Sequence, residues 1–144
     1  MKRLFIIIVL IFLQSHTWGS TTRESSDWEE KGSLRLTNQE LKSFYSNKTM
    51  ISIHKKYGPL NVFFASDGKA QLGKHEFDGH WWVDKKENNI CVEVNVNKKV
   101  FCHYTVKNPD GTHTIWHARK EKPLVEIKSA LEGNKLYLDL TAKE

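Results

Sequence analysis

Two cysteines and a handful of histidines are the residues of this chain whose chemistry is worth asking about first. Cys91 and Cys102 stand in a C-x10-C spacing, too long for the C-x-x-C of a zinc or redox site. If the chain turns about Val96-Asn97, position 91 falls opposite position 102. Facing residues of an antiparallel pair have Cα atoms ~4.5–5.5 Å apart, within disulfide reach. A reactive thiol pair would need a neighbour that lowers a thiol pKa, and no motif beside either cysteine supplies one. A structural disulfide Cys91–Cys102 is therefore expected.

The histidines outside the apolar N-terminus are His54, His75, His80, His103, His113 and His117. His113 and His117 would chelate one ion on a helix, but on a strand the same spacing sets them ~13 Å apart. A site would have to draw on several strands, for instance through His80 and His103. No clustered ligand spacing is present, so neither a metal nor another cofactor is expected. Asp78, Asp84 and Glu93 are carboxylates without a fixed mutual distance, and no G-x-S-x-G or compact Ser/His/Asp grouping occurs. No catalytic residue is assigned, and the chain reads as a binding module rather than an enzyme.

The segment 77–84, FDGHWWVD, carries the most information about a surface. Strand alternation puts Phe77, Gly79, Trp81 and Val83 on a core face, and Asp78, His80, Trp82 and Asp84 on the other. A tryptophan between a histidine and an aspartate can stack on a sugar ring or anchor a partner protein. His80, Trp82 and Asp84 are thus the expected ligand or partner contacts. The competing reading covers Trp82 with a helix or with the leader, or leaves it merely half exposed.

The elements that would position these residues follow from periodicity. Thr37 opens T-x-x-E with Glu40, the spacing of a capping box, and Leu36 and Leu41 suit a hydrophobic staple. Leu41, Phe44 and Tyr45 give a stripe at i, i+3, i+4 before Ser46-Asn47 ends a helix of two or three turns. A helix so short must rest its stripe on something else. From Lys48 the period becomes 2, with strands expected over 48–56, 60–66, 69–76, 77–84, 89–95, 99–107, 112–119, 124–131 and 136–140. Asp67-Gly68, Asn108-Pro109-Asp110-Gly111 and Glu132-Gly133-Asn134 mark turns. Connections this short force neighbouring strands to run antiparallel. A twisted meander of eight or nine strands curls, and closing it removes its sticky edges. The expected fold is mainly β, an up-and-down barrel or strongly curled sheet with one short N-terminal helix; an open sandwich is the alternative.

Residues 1–19 have the form of a secretory signal: Lys2 and Arg3, then an apolar run over 4–13, then small residues up to Gly19. Ten apolar residues fall short of the ~20 that span a bilayer core. Residues 20–33 are polar and aperiodic and read as a flexible leader in which Trp28 is the one large apolar group; 34–144 read as a single β-rich domain. The whole chain carries a net charge of +5. Removing Lys2 and Arg3 leaves a weak positive bias in mixed-sign company, without the basic-aromatic interleaving of a nucleic-acid binder.

The stretch 64–102 resembles a group of small bacterial exported proteins of uncharacterised function. Phe64 and Asp67-Gly68 match the group's opening strand and turn, Gly79-Trp81-Val83 its G-x-W-x-V strand, and Cys91 with Cys102-His103-Tyr104 its cysteine pair. Asn88-Asn89-Ile90 stands where the group has Gly-Arg-Leu. The resemblance implies a periplasmic or secreted protein with a calycin-like barrel, and no particular activity. The resulting expectation is an exported envelope or secreted module that binds an envelope or extracellular protein or a glycan. It is not expected to bind nucleic acid or to insert stably in a membrane. Two alternatives accompany it: a lipocalin-like carrier of a small hydrophobic ligand, and an inhibitor of a cell-wall hydrolase. Against the carrier, the large side chains Phe63, Phe64, Trp81 and Tyr104 predict a filled lumen. Against the inhibitor, the positive charge would repel basic lysozymes.

Overall fold

Turns of a few residues leave consecutive strands no choice but to pair antiparallel, and the computed structural model, which describes residues 27–73 and 79–136, follows that rule around a complete circuit. The circuit strands are β2 (Lys48–His54), β3 (Gly58–Phe64), β4 (Lys69–Leu72), β5 (Gly79–Asp84), β6 (Asn89–Val94), β7 (Lys99–Lys107), β8 (His113–His117) and β9 (Lys122–Glu132). Each pairs with the next, and β9 returns to β2 from Lys48↔Glu132 to His54↔Val125. The result is a closed barrel of eight antiparallel strands, so the mainly β expectation holds and the sandwich does not.

Two register shifts, at Ile51/Ser52 against β9 and at Ile115/Trp116 between β8 and β9, supply local bends for closure. At Asp67-Gly68 the turn needs a backbone conformation that favours glycine: Gly68 has φ 88° and donates to Ala65 O. A short strand, β1 (Leu34–Arg35), adds to the outer half of β7 at Lys107 and Val106. Two residues carry no periodicity, so this strand leaves no signature in the pattern of side chains.

Helix α2 (Asn38–Tyr45) closes one end of the barrel. Its capping box forms as the T-x-x-E spacing predicts: Glu40 N donates to Thr37 Oγ1, and Thr37 N donates to the Glu40 carboxylate at 2.8 Å. The Thr37 amide, and then the Thr37 hydroxyl, donate to the Glu40 carboxylate and hold its pKa below the usual range. Leu36, Leu41 and Tyr45 are buried with Met50, Phe64, Trp81, Ile90 and Ile127 in the main core. Tyr45, Phe64 and Trp81 meet edge to face in sequence, at 4.9 and 5.7 Å between ring centroids, and fill the helix end.

A second apolar cluster lies outside the wall. Tyr104, Val106 and Trp116 alternate outward there and are covered by Trp28 from α1 (Asp27–Glu30). Trp28 Nε1 donates to Tyr104 Oη at 3.2 Å, and the Arg35 guanidinium sits 4.4 Å from the Tyr104 ring centre. Within the stretch read as a leader, Trp28 thus contacts the domain. Residues 1–19, read above as a signal, the rest of the stretch read as a leader up to 26, and the last strand expected beyond Leu136 lie outside the described residues.

Candidate functional site

Alternation decides which side chains enter the barrel. Thr105 is buried inside, bonded to the Tyr45 hydroxyl at 2.8 Å, so Phe101 and His103 also face in, and Cys102 and Tyr104 face out. The same logic through the pairings turns Leu60, Val62, Phe64, Ile90, Val92, Val94 and Ile115 inward. Together they line a chamber of about 350 Å³. Tyr45 and Phe64 make its floor; Val62, Ile90, Val92, Ile115 and Val125 make its walls. At the end away from the helix stand Tyr57, 71 % exposed, and Phe101, 45 % exposed.

The filled lumen expected from the aromatic content is therefore corrected. Phe64 and Trp81 do point inward, but both sit at the helix end. Tyr104 belongs to the outer cluster, and Phe63, paired with Thr49 and Gln71, alternates to the outside of inward Val62 and Phe64. The other half is lined by medium-sized aliphatic side chains with Phe101, His54 and His103, and these leave the chamber between them.

Three histidines from strands distant in sequence gather toward the open half. His54 and His103 line the chamber, and His117, paired to His103 across β7 and β8, stacks edge to face with it at 5.6 Å. His54 Nδ1 accepts from Lys56 N at 3.0 Å, and His117 Nδ1 accepts from Arg119 N at 3.1 Å. In the neutral rings Nε2 then carries the proton and acts as a donor. Among the described residues no three His, Cys, Asp or Glu side chains are placed to hold a metal ion. The pairing of His80 with His103 considered from sequence does not arise, since His80 faces out.

His103 is the buried member. Burial, then the neighbouring His117 and His54, push its pKa down to about 4 from 6.5, and its Nδ1 has no hydrogen-bond partner among the described residues. A folded pKa below the unfolded one means that the unfolded chain binds the proton first as pH falls. Stability is full above pH 6.5 and is lost progressively toward pH 4. By pH 5 the loss attributable to His103 is about 2 kcal/mol. Denaturation midpoints of the wild type and His103→Phe across this range check it: the variant is expected to lose most of the slope, and an unchanged slope would contradict the assignment.

The residues singled out from sequence sit elsewhere. His80 and Trp82 are exposed on the outer wall, Trp82 at 40 %, and Trp82 is paired with Cys91. Asp84 ends β5 and accepts from Lys86 N at 3.0 Å, which fixes a turn. None of the three lines the chamber. Glu93 pairs with Lys98 at 3.5 Å, and Asp78 and His75 lie outside the described residues. Cys91 and Cys102 are bonded across the β6–β7 register as expected, with Cα atoms 4.1 Å apart, on the outer side of the wall whose inner side is Val92, Phe101 and His103. The chamber itself escaped the sequence reading. Its signal was the set of aliphatic residues at every second position in 60–62 and 90–94, facing Phe101 and His103 on the neighbouring strand.

Among the described residues no helix is long and apolar enough to cross a membrane. The chain matches no protein-family model, and comparison with curated proteins and with solved structures gives no match either.

Proposed function

We propose that this chain is an exported binding protein that holds a small apolar molecule in its barrel lumen. The observation that carries the reading is the chamber of about 350 Å³, walled by aliphatic and aromatic side chains and open at the end away from α2. Such a volume falls at the lower end of small-molecule sites. A cavity of ~150 Å³ that stays dry accepts one benzene; by the same scale this one holds roughly 14 non-hydrogen atoms, and a slightly larger molecule would extend into the open mouth. An apolar wall offers water no partners, so a hydrophobic occupant gains on entry. Export to a periplasmic or extracellular space of a bacterium is supported by the signal-like 1–19 segment, by the resemblance over 64–102 and by the Cys91–Cys102 bond, which suits an oxidising compartment.

The test is titration with the neutral dye N-phenyl-1-naphthylamine, read by its fluorescence. Saturable enhancement is expected, with affinity falling at least about tenfold in Val92→Trp, whose ring would occupy the chamber. Trp82→Ala on the outer wall should leave it unchanged. Binding that follows Trp82 and ignores Val92 would overturn the reading in favour of a surface site.

A further inference from the structure

The chain's positive charge is gathered at the mouth of the chamber. Three described connections lie at that end: 55–57, 95–98 and 118–121. On or beside them stand Lys56, Lys98, Lys99, Arg119, Lys120 and Lys122; Glu121 is the one acidic residue within these three connections, and Glu93 on the adjoining strand is ion-paired with Lys98. At the helix end signs are mixed, with Asp67, Glu87 and Asp110 against Lys85 and Lys86.

Register sharpens the point. Lys99 pairs with Val94, which lines the chamber, and Lys122 pairs with His117, on the same inward face as His103. Both lysines therefore stand on inward faces at the lip. Just below them, His54 and His117 use Nδ1 as acceptors for backbone amides, so Nε2 is the donor in each neutral ring. Inward positive charge above ring N–H donors suits an acceptor that bears negative charge, and opposes a cation.

We propose that the chamber takes a single-chain amphipathic anion, its apolar tail against Val62, Val92 and Ile115 and its anionic head among Lys99, Lys122 and the mouth histidines. This rests on the lumen reading above and adds the head-group chemistry to it. The head would lie within a Debye length of several of these charges at moderate salt, ~10 Å at 0.1 M.

Calorimetric titration with decanoate, decan-1-ol and decyltrimethylammonium, all below micelle-forming concentrations, separates tail from head. At about 0.05 M salt decanoate is expected to bind about tenfold more tightly than the ammonium ligand, and the gap should shrink at about 0.5 M salt. Lys99→Gln/Lys122→Gln should narrow the gap and leave decan-1-ol unaffected. Equal binding of all three ligands would overturn the anion proposal while the lumen reading stands. Failure of all three, with no dye binding, would remove the lumen reading itself. Binding to vesicles rich in phosphatidylglycerol without binding of decanoate would overturn the proposal in favour of a membrane surface.

Discussion

Replacing Tyr45 with alanine is expected to cost about 4 kcal/mol of folding stability, the upper part of the range for removing a large buried ring. Tyr45 has no exposed surface. Its ring packs edge-on against Phe44 and Phe64, at 5.2 and 4.9 Å, and it ends the only helix of more than one turn among the described residues. That helix is too short to persist without the barrel, and among the described residues no other helix closes the barrel at that end. The hydroxyl bonds Thr105 Oγ1, itself fully buried, and burial raises the phenol pKa far above its ordinary value. Tyr45→Phe keeps the ring but strands the Thr105 hydroxyl, which costs about 1–2 kcal/mol. Urea denaturation of both variants checks the pair. A loss below about 1 kcal/mol for Tyr45→Ala would mean that the helix is not the floor of the domain.

The second large effect lies on the opposite face of the wall. Cys91→Ala/Cys102→Ala should lower stability by about 3 kcal/mol, the loop-closure entropy of a ring of about a dozen residues. The bond spans a sequence separation of 11 between register partners of β6 and β7. Its functional consequence follows from alternation. The outward cysteines hold together the hairpin whose inward Val92, Val94, Phe101 and His103 form one side of the chamber. The double variant should therefore also bind the dye more weakly. Comparing denaturation midpoints of oxidised wild type, reduced wild type and the double variant checks this: the last two are expected to coincide below the first. Equal midpoints for all three would contradict it.

What could be read in the sequence was whatever depends on near neighbours. The Thr37–Glu40 capping box is a four-residue pattern, and the cysteine pairing needs only the centre of one hairpin. Barrel closure follows from a run of connections too short for anything but antiparallel pairing. The chamber was hidden because it depends on the phase of each strand relative to strands far away in the chain. Phe63 and Phe64 are adjacent, and only pairing with β2 and β4 decides that Phe64 enters the core while Phe63 leaves it. His54, His103 and His117 come together only once β9 has paired with β2 and β8 with β7. Trp82 drew attention through its neighbours in sequence, whereas its neighbours in space are the outer wall and Cys91.

One measurement goes directly to the occupied chamber: intermolecular nuclear Overhauser effects between bound N-phenyl-1-naphthylamine and a methyl-labelled protein. The account predicts contacts to methyl groups of Val62, Val92 and Ile115, which face the lumen, and none to Leu34 or Ile53, which are exposed at 70 % and 44 %. Contacts confined to Leu34, Ile53 or the Trp28 cluster would place the dye outside the barrel and contradict the account.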